Sequence, residues 1–237
     1  MRKGLWQSVM TFGSWTMLSR VMGLVRDIVL GVVFGPSAAT DAFFVAFKIP
    51  NFLRRLFAEG AFQQAFVPVL ADARHAGGDA AVRALFGRVT GCLGLVLLAI
   101  TVLAVLGSRG LVRVFAPGFI DQPEQLALAT EMLRLTFPYL LLIALTAAAA
   151  AVLNTYDEFG PPAFAPVLLN LTLIAAAVWL APRLETGVLA LALAVPVAGA
   201  LQLLLQLPFV WRRGALTWPW PDWHDPGVRR ILRLMGH

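Results

Sequence analysis

Apolar residues run through this chain in long blocks broken by short polar connectors. Four blocks, roughly 89–108, 135–156, 159–182 and 186–211, carry no ionisable residue in their cores. Each reaches the length of about 20 residues that a helix needs to cross a bilayer. Two earlier blocks, near 5–34 and 39–70, are equally long but hold charges in their middles. With their flanks the six predicted spans run about 5–34, 39–70, 85–108, 126–156, 159–182 and 186–211. Strands of a membrane barrel are excluded, because those alternate over segments of about ten residues. Connectors such as Gly35-Pro36-Ser37, Gly77-Gly78 and Gly160-Pro161-Pro162 separate the blocks. Every connector is short, which leaves no room for a folded domain outside the bilayer. The expected fold class is therefore all-α, a polytopic transmembrane helix bundle.

After the sixth span, Trp211, Trp218, Trp220 and Trp223 cluster with Pro219, Pro221 and Pro226. Tryptophan favours the headgroup level and the prolines forbid a regular helix, so 212–227 is expected to lie along the interface. Helical spacing resumes at 228–237, which reads as the start of a seventh span and the chain as a fragment of a longer protein.

Composition agrees with the pattern. The 237 residues are 59% hydrophobic and 14% charged, against about 25% charged in soluble domains. So few polar residues cannot cover a soluble surface, which excludes a soluble enzyme and a disordered chain. One cysteine and three scattered histidines leave no metal-ligand spacing. The net charge of +6 does not point to nucleic acid, because the basic residues are not grouped as a phosphate-tracking surface. They follow the loops. With the N-terminus inside, the cytoplasmic loops hold Arg2, Lys3, Arg74, Arg83, Arg88, Arg212, Arg213, Arg229, Arg230 and Arg233, and the outer ones only Arg109, Arg113 and Arg183. That asymmetry predicts a cytoplasmic N-terminus and an uncleaved first span.

The charges inside the first two spans demand a reason. One Arg or Asp at a helix centre costs about 2.5–3.5 kcal/mol to insert. Arg20, Arg26 and Asp27 in the first span, and Asp41, Lys48, Arg54, Arg55 and Glu59 in the second, must pair, face a water-filled cavity or bind a charged group. At 100° per residue Arg20 and Asp27 share a face and Arg26 lies about 120° away. Asp41, Lys48, Arg55 and Glu59 also share a face, subject to a kink at Pro50. Two readings fit. Pairs such as Arg20 with Asp41, or Arg55 with Glu59, could hold helices together. Alternatively the surplus of two positive charges could grip a pyrophosphate, which suits arginine's planar fork. Asn154 and Asn170 are expected to bond between helices, and Gly31, Gly35 and the run Ala147 to Ala151 to permit close packing. Pro138, Pro166 and Pro196 are kink candidates.

Two stretches carry a family resemblance. Ser19 to Asp27 (SRVMGLVRD) and Ala39 to Phe62 (ATDAFFVAFKIPNFLRRLFAEGAF) closely resemble the MurJ (MviN) lipid II flippases, of the multidrug/oligosaccharidyl-lipid/polysaccharide exporter superfamily. Phe115 to Phe119, Thr136 to Tyr139 and Pro162 to Asn170 extend the match over nearly the whole chain. The resemblance implies a six-helix N-terminal lobe of a protein with about fourteen spans, whose C-terminal lobe is missing here. It implies that Arg26 and Arg54 contact the pyrophosphate of lipid II, the undecaprenyl-linked disaccharide-pentapeptide. Arg20, Lys48, Asn51 and Arg55 complete the expected substrate-binding set, and Asp27, Asp41 and Glu59 the gating or ion-coupling set.

The implied activity is transport, not enzymatic: lipid II crosses from the inner to the outer leaflet of the bacterial cytoplasmic membrane by rocking of two lobes around a cationic cavity. No cofactor is expected; the membrane potential, a proton or a sodium ion could drive the cycle. Partners are lipid II and membrane lipids, with no nucleic acid. Three alternatives stand beside this: another exporter of the superfamily, a non-transporting membrane scaffold with structural ion pairs, and a membrane enzyme acting on a lipid pyrophosphate.

Overall fold

The computed structural model describes the backbone of residues 2–55 and 61–235, with side chains from Met17 onward except around the 56–61 stretch. Glu59, placed in the gating set above, lies outside the described residues. Nine α-helices account for the described chain: α1 (Arg2–Phe34), α2 (Ala38–Arg54), α3 (Ala61–Leu106), α4 (Ser108–Phe115), α5 (Pro123–Thr136), α6 (Tyr139–Thr155), α7 (Gly160–Ala175), α8 (Leu189–Arg212) and α9 (Pro226–Met235). A π-helical turn and a 3-10 turn extend α7 to Arg183. The class is all-α. Among the described residues four stretches are long and apolar enough to cross a membrane: Phe62–Leu106, Pro123–Thr155, Gly160–Arg183 and Leu189–Arg212.

Local chemistry explains the breaks. Gly35 takes φ +59, and Ser37 Oγ then accepts from Thr40 N at 3.2 Å to cap α2. Pro138 divides the block 126–156 into α5 and α6, whereas Pro166 and Pro196 stay inside their helices. The 46-residue α3 is two arms joined at Gly78, whose φ of 62 and ψ of −153 are open only to glycine. Phe62 and Cys92, placed on either side of Gly78, line one apolar pocket with Val228 and Ile231 of α9. The arms therefore double back on each other.

Two cores result. One joins α2, α5, α6 and α8 around Phe43, Met132, Phe137, Tyr139 and Leu191. Thr136 Oγ1 donates to Ala46 O at 3.2 Å and Gln125 Nε2 to Ala38 O at 3.1 Å, tying α5 to α2. The other joins both arms of α3 to α6 and α9 around Phe66, Phe86 and Val152. Small residues set the spacing of α6 and α8, where Ala144, Ala148, Ala194 and Ala198 are buried. Leu95, Leu98, Leu103, Val197 and Leu204 are exposed, giving α3 and α8 outward faces fit for lipid.

Residues 215–225 form an irregular strap laid over the second arm of α3. Trp220 N donates to Gly87 O at 3.1 Å, and Arg88 pairs with the buried Asp225. Trp211, Trp218 and Trp220 project outward. Asp225 Oδ1 accepts from Gly227 N and Val228 N, capping α9. That helix buries Val228 and Ile231 and exposes Arg229, Arg230 and Arg233 together with Leu232 and Leu234.

Candidate functional site

The charged residues of the first two helices fall into separate places. On α1, Arg26 turns toward Asp27, giving Nε and Nη2 to Asp27 Oδ1 at 3.0 and 2.7 Å. Its Nη1 donates to Asn170 Oδ1 of α7 at 3.0 Å. Asn170 Nδ2 in turn donates to Ser19 O at 3.3 Å, so one buried amide joins α1 to α7, in keeping with its expected interhelical role. Helix angles alone place Arg26 away from Asp27. The long guanidinium stem bridges that angle, and Asn170 holds it there. Arg20 and Asp41 are both exposed and form no ion pair with each other among the described residues.

On α2 the buried face is Ala42, Phe43, Ala46, Ile49 and Pro50. Asp41, Lys48 and Arg55 share the opposite, exposed side. Asp41 sits in the first turn, where a negative charge suits the helix dipole. Arg54 ends the helix, thirteen residues or about 20 Å farther along. Its Nε donates to Asn51 Oδ1 at 2.9 Å, which orients the guanidinium.

Arg54 lines a cavity of about 460 Å³ between the end of α2, the start of α3, and α6, α7 and α8. Gln63, Thr146, Gln202 and Gln206 also face it, and Leu169 brings its wall to within one residue of Asn170. Arg26, Arg20, Lys48 and Arg55 are not part of that lining. The three glutamines were not singled out from the sequence. Their signal was there: Gln202 and Gln206 stand four residues apart, on one face of an otherwise apolar span.

At one end of the bundle a second charged cluster ties three segments together. Tyr156 OH donates to Asp79 Oδ1 at 2.7 Å, beside the Gly78 bend. The Arg74 guanidinium lies 4.3 Å from the Tyr156 ring centre, and Arg213 lies 5.6 Å from it. Arg213, at the end of α8, pairs with Glu158. Burial, then the hydrogen bond and charge of Asp79, push the Tyr156 hydroxyl from 10.0 up to about 12, against the pull of Arg74 and Arg213. Because the folded value is the higher one, this contribution to stability is intact below pH 10.0 and fades as pH rises through about 12. The expected result is a phenolate absorbance, lost in Tyr156→Phe, that develops only toward pH 12; a midpoint near 10 contradicts the cluster.

Comparison with known proteins gives a consistent result. A family model described as lipid II flippase MurJ matches residues 30–237. A Haemophilus influenzae protein named probable lipid II flippase MurJ is 45% identical over 227 residues, which is 93% of this chain and 44% of that protein. A Burkholderia cenocepacia protein named lipid II flippase MurJ is 45% identical over 235 residues, 98% of this chain and 46% of that protein. A solved structure titled lipid II flippase MurJ, inward closed conformation, superposes with a TM-score of 0.77 at 26% identity. It matches 95% of this chain and 46% of the solved one. The chain thus spans less than half the length of the relatives it matches.

Proposed function

The chain belongs to the lipid II flippase MurJ family, and from that premise we propose that it forms the N-terminal lobe of a flippase carrying lipid II between leaflets. The observation that carries this reading is Arg54, a guanidinium oriented by Asn51 into a polar cavity inside an otherwise apolar bundle. A cation kept there suits an anionic headgroup, while a polyprenyl tail stays in lipid. In this reading six spans cross the bacterial inner membrane, α2 with the first arm of α3 making the second and the second arm of α3 the third, with the N-terminus in the cytoplasm and a second lobe closing the cavity. The protein acts as a transporter, with no cofactor. An inside-negative potential assists outward movement of an anion by about 2.3 kcal/mol per charge per 100 mV, which drives the cycle without nucleotide. Of the expected ion-coupling acids, Asp27 and Asp41 are exposed and sit in no enclosed site among the described residues, which supports the potential over coupling through these two.

The test is complementation. Cells depleted of their own flippase receive the protein in its full-length form. Sustained growth with lipid II reaching the outer leaflet supports the reading; arrest with lipid II held in the inner leaflet, despite normal membrane insertion, overturns it.

A further inference from the structure

The cavity beside Arg54 holds more polar chemistry than one pyrophosphate requires. Gln202 and Gln206, on consecutive turns of α8, are only 2% and 1% exposed. Gln202 Nε2 donates to Ala165 O at 2.8 Å, which fixes its amide with Oε1 turned from that carbonyl. Gln202 Oε1 and Gln206 Oε1 are both buried with no hydrogen-bond partner. Across the cavity Gln63 Nε2 donates to Ala147 O at 2.7 Å, which likewise orients its amide oxygen away. Thr146 Oγ1 gives its proton to Leu142 O at 2.8 Å and keeps its lone pairs. The result is a set of acceptor-bearing residues, two of them with amides fixed by a hydrogen bond, lining a cavity beside a cation.

Buried amides with an unmade hydrogen bond cost stability, and an apolar residue of similar shape would remove that cost. Their retention around a space of about 460 Å³, within the roughly 300–1,000 Å³ of small-ligand sites, calls for an occupant. The occupant must bring donors, since acceptors are what lacks partners, and a neutral group suits it, since none of the described lining residues is acidic. Hydroxyl and N-acyl N–H groups of a sugar meet both conditions.

We propose that Gln63, Gln202 and Gln206 form a neutral sugar subsite beside Arg54, which selects glycosylated lipid pyrophosphates over bare polyprenyl pyrophosphate. This rests on the flippase reading and adds the part of the headgroup that each residue handles. Arg54 takes the charge, and the amides take the first sugar.

The experiment measures binding of lipid II and of undecaprenyl pyrophosphate to the purified full-length protein, as wild type, Gln206→Leu, the Gln202→Leu/Gln206→Leu pair, and Gln63→Leu. The expected result is that wild type prefers lipid II and that the α8 pair reduces this preference about fivefold to tenfold, the worth of one or two lost hydrogen bonds. Thermal unfolding of Gln206→Leu should be unchanged or moved upward, which a merely structural amide would not allow, whereas the pair also loses the Gln202 bond to Ala165 O and should unfold earlier. Gln63→Leu, at a half-buried lining position on α3, reads the same preference independently of any misfolding in α8. An unchanged preference in folded variants overturns the subsite, because the amides would then be satisfied by water alone. Wild type that prefers lipid II while the variants match it leaves the flippase reading standing; wild type that binds neither lipid overturns both.

Discussion

Arg54→Ala in the full-length protein is expected to abolish growth of cells lacking their own flippase, while inserting into the membrane at wild-type levels. Among the described residues Arg54 supplies the one guanidinium in the lining of the polar cavity, and a charge-assisted contact to phosphate contributes about 1.5–3 kcal/mol. Its loss lowers headgroup binding roughly ten- to a hundredfold. Arg54→Lys should recover part of that, since it keeps the charge and loses the fork. Arg26→Ala separates two roles. Arg26 lies off the cavity and is bonded to Asp27 and Asn170. If it handles substrate, growth fails with unfolding unchanged; if it only joins α1 to α7, the variant loses about 1–3 kcal/mol of stability through the orphaned Asn170 and growth recovers at low temperature. Growth of Arg54→Ala at low expression contradicts the cavity assignment.

The second large effect is expected at Gly91. A Cβ added there would sit 2.5 Å from Pro221 N and 2.8 Å from Trp220 N, both backbone atoms of the strap. Backbone cannot swing aside as a side-chain tip can, so Gly91→Ala should cost about 1–3 kcal/mol by overpacking. This outweighs the roughly 1 kcal/mol that alanine gains over glycine within a helix. Gly94, on the same helix, has nothing within 4 Å of an added Cβ, and Gly94→Ala should be neutral or slightly stabilising. Thermal unfolding in detergent, with tryptophan emission reporting strap release, compares the two. Equal stability of the pair of variants contradicts the docked strap.

The helices were legible where periodicity and apolar length act alone. The expected 159–182 and 186–211 coincide with the helical stretches Gly160–Arg183 and Leu189–Arg212, since apolar runs of that length favour an unbroken helix long enough to cross a bilayer. The expected 39–70 conceals an interruption: α2 stops at Arg54 and α3 begins at Ala61, and hydropathy cannot register that change. The Gly77-Gly78 connector was visible as punctuation, but not that one backbone setting at Gly78 suffices to reverse the chain. For the site, Arg54 and Asn51 stand together as neighbours on one turn. The Arg26 contacts depend on Asn170, 144 residues away, and no helical wheel reaches that far. The cavity glutamines were hidden for the opposite reason, since in a sequence an amide attracts less notice than a charge.

The pairing of Arg26 has a kinetic consequence for any anion that reaches it. Three of its five N–H donors are already engaged by Asp27 and Asn170, so an incoming phosphate must exchange with a resident carboxylate and not simply add to a vacant cation. Asp27 is well exposed, and such a pair is worth at most about 1 kcal/mol, a penalty of up to about fivefold on affinity. The same carboxylate is at hand to recapture the guanidinium as the anion departs. A carrier with an internal competitor of this kind trades tightness for release, and turnover depends on letting go as much as on holding.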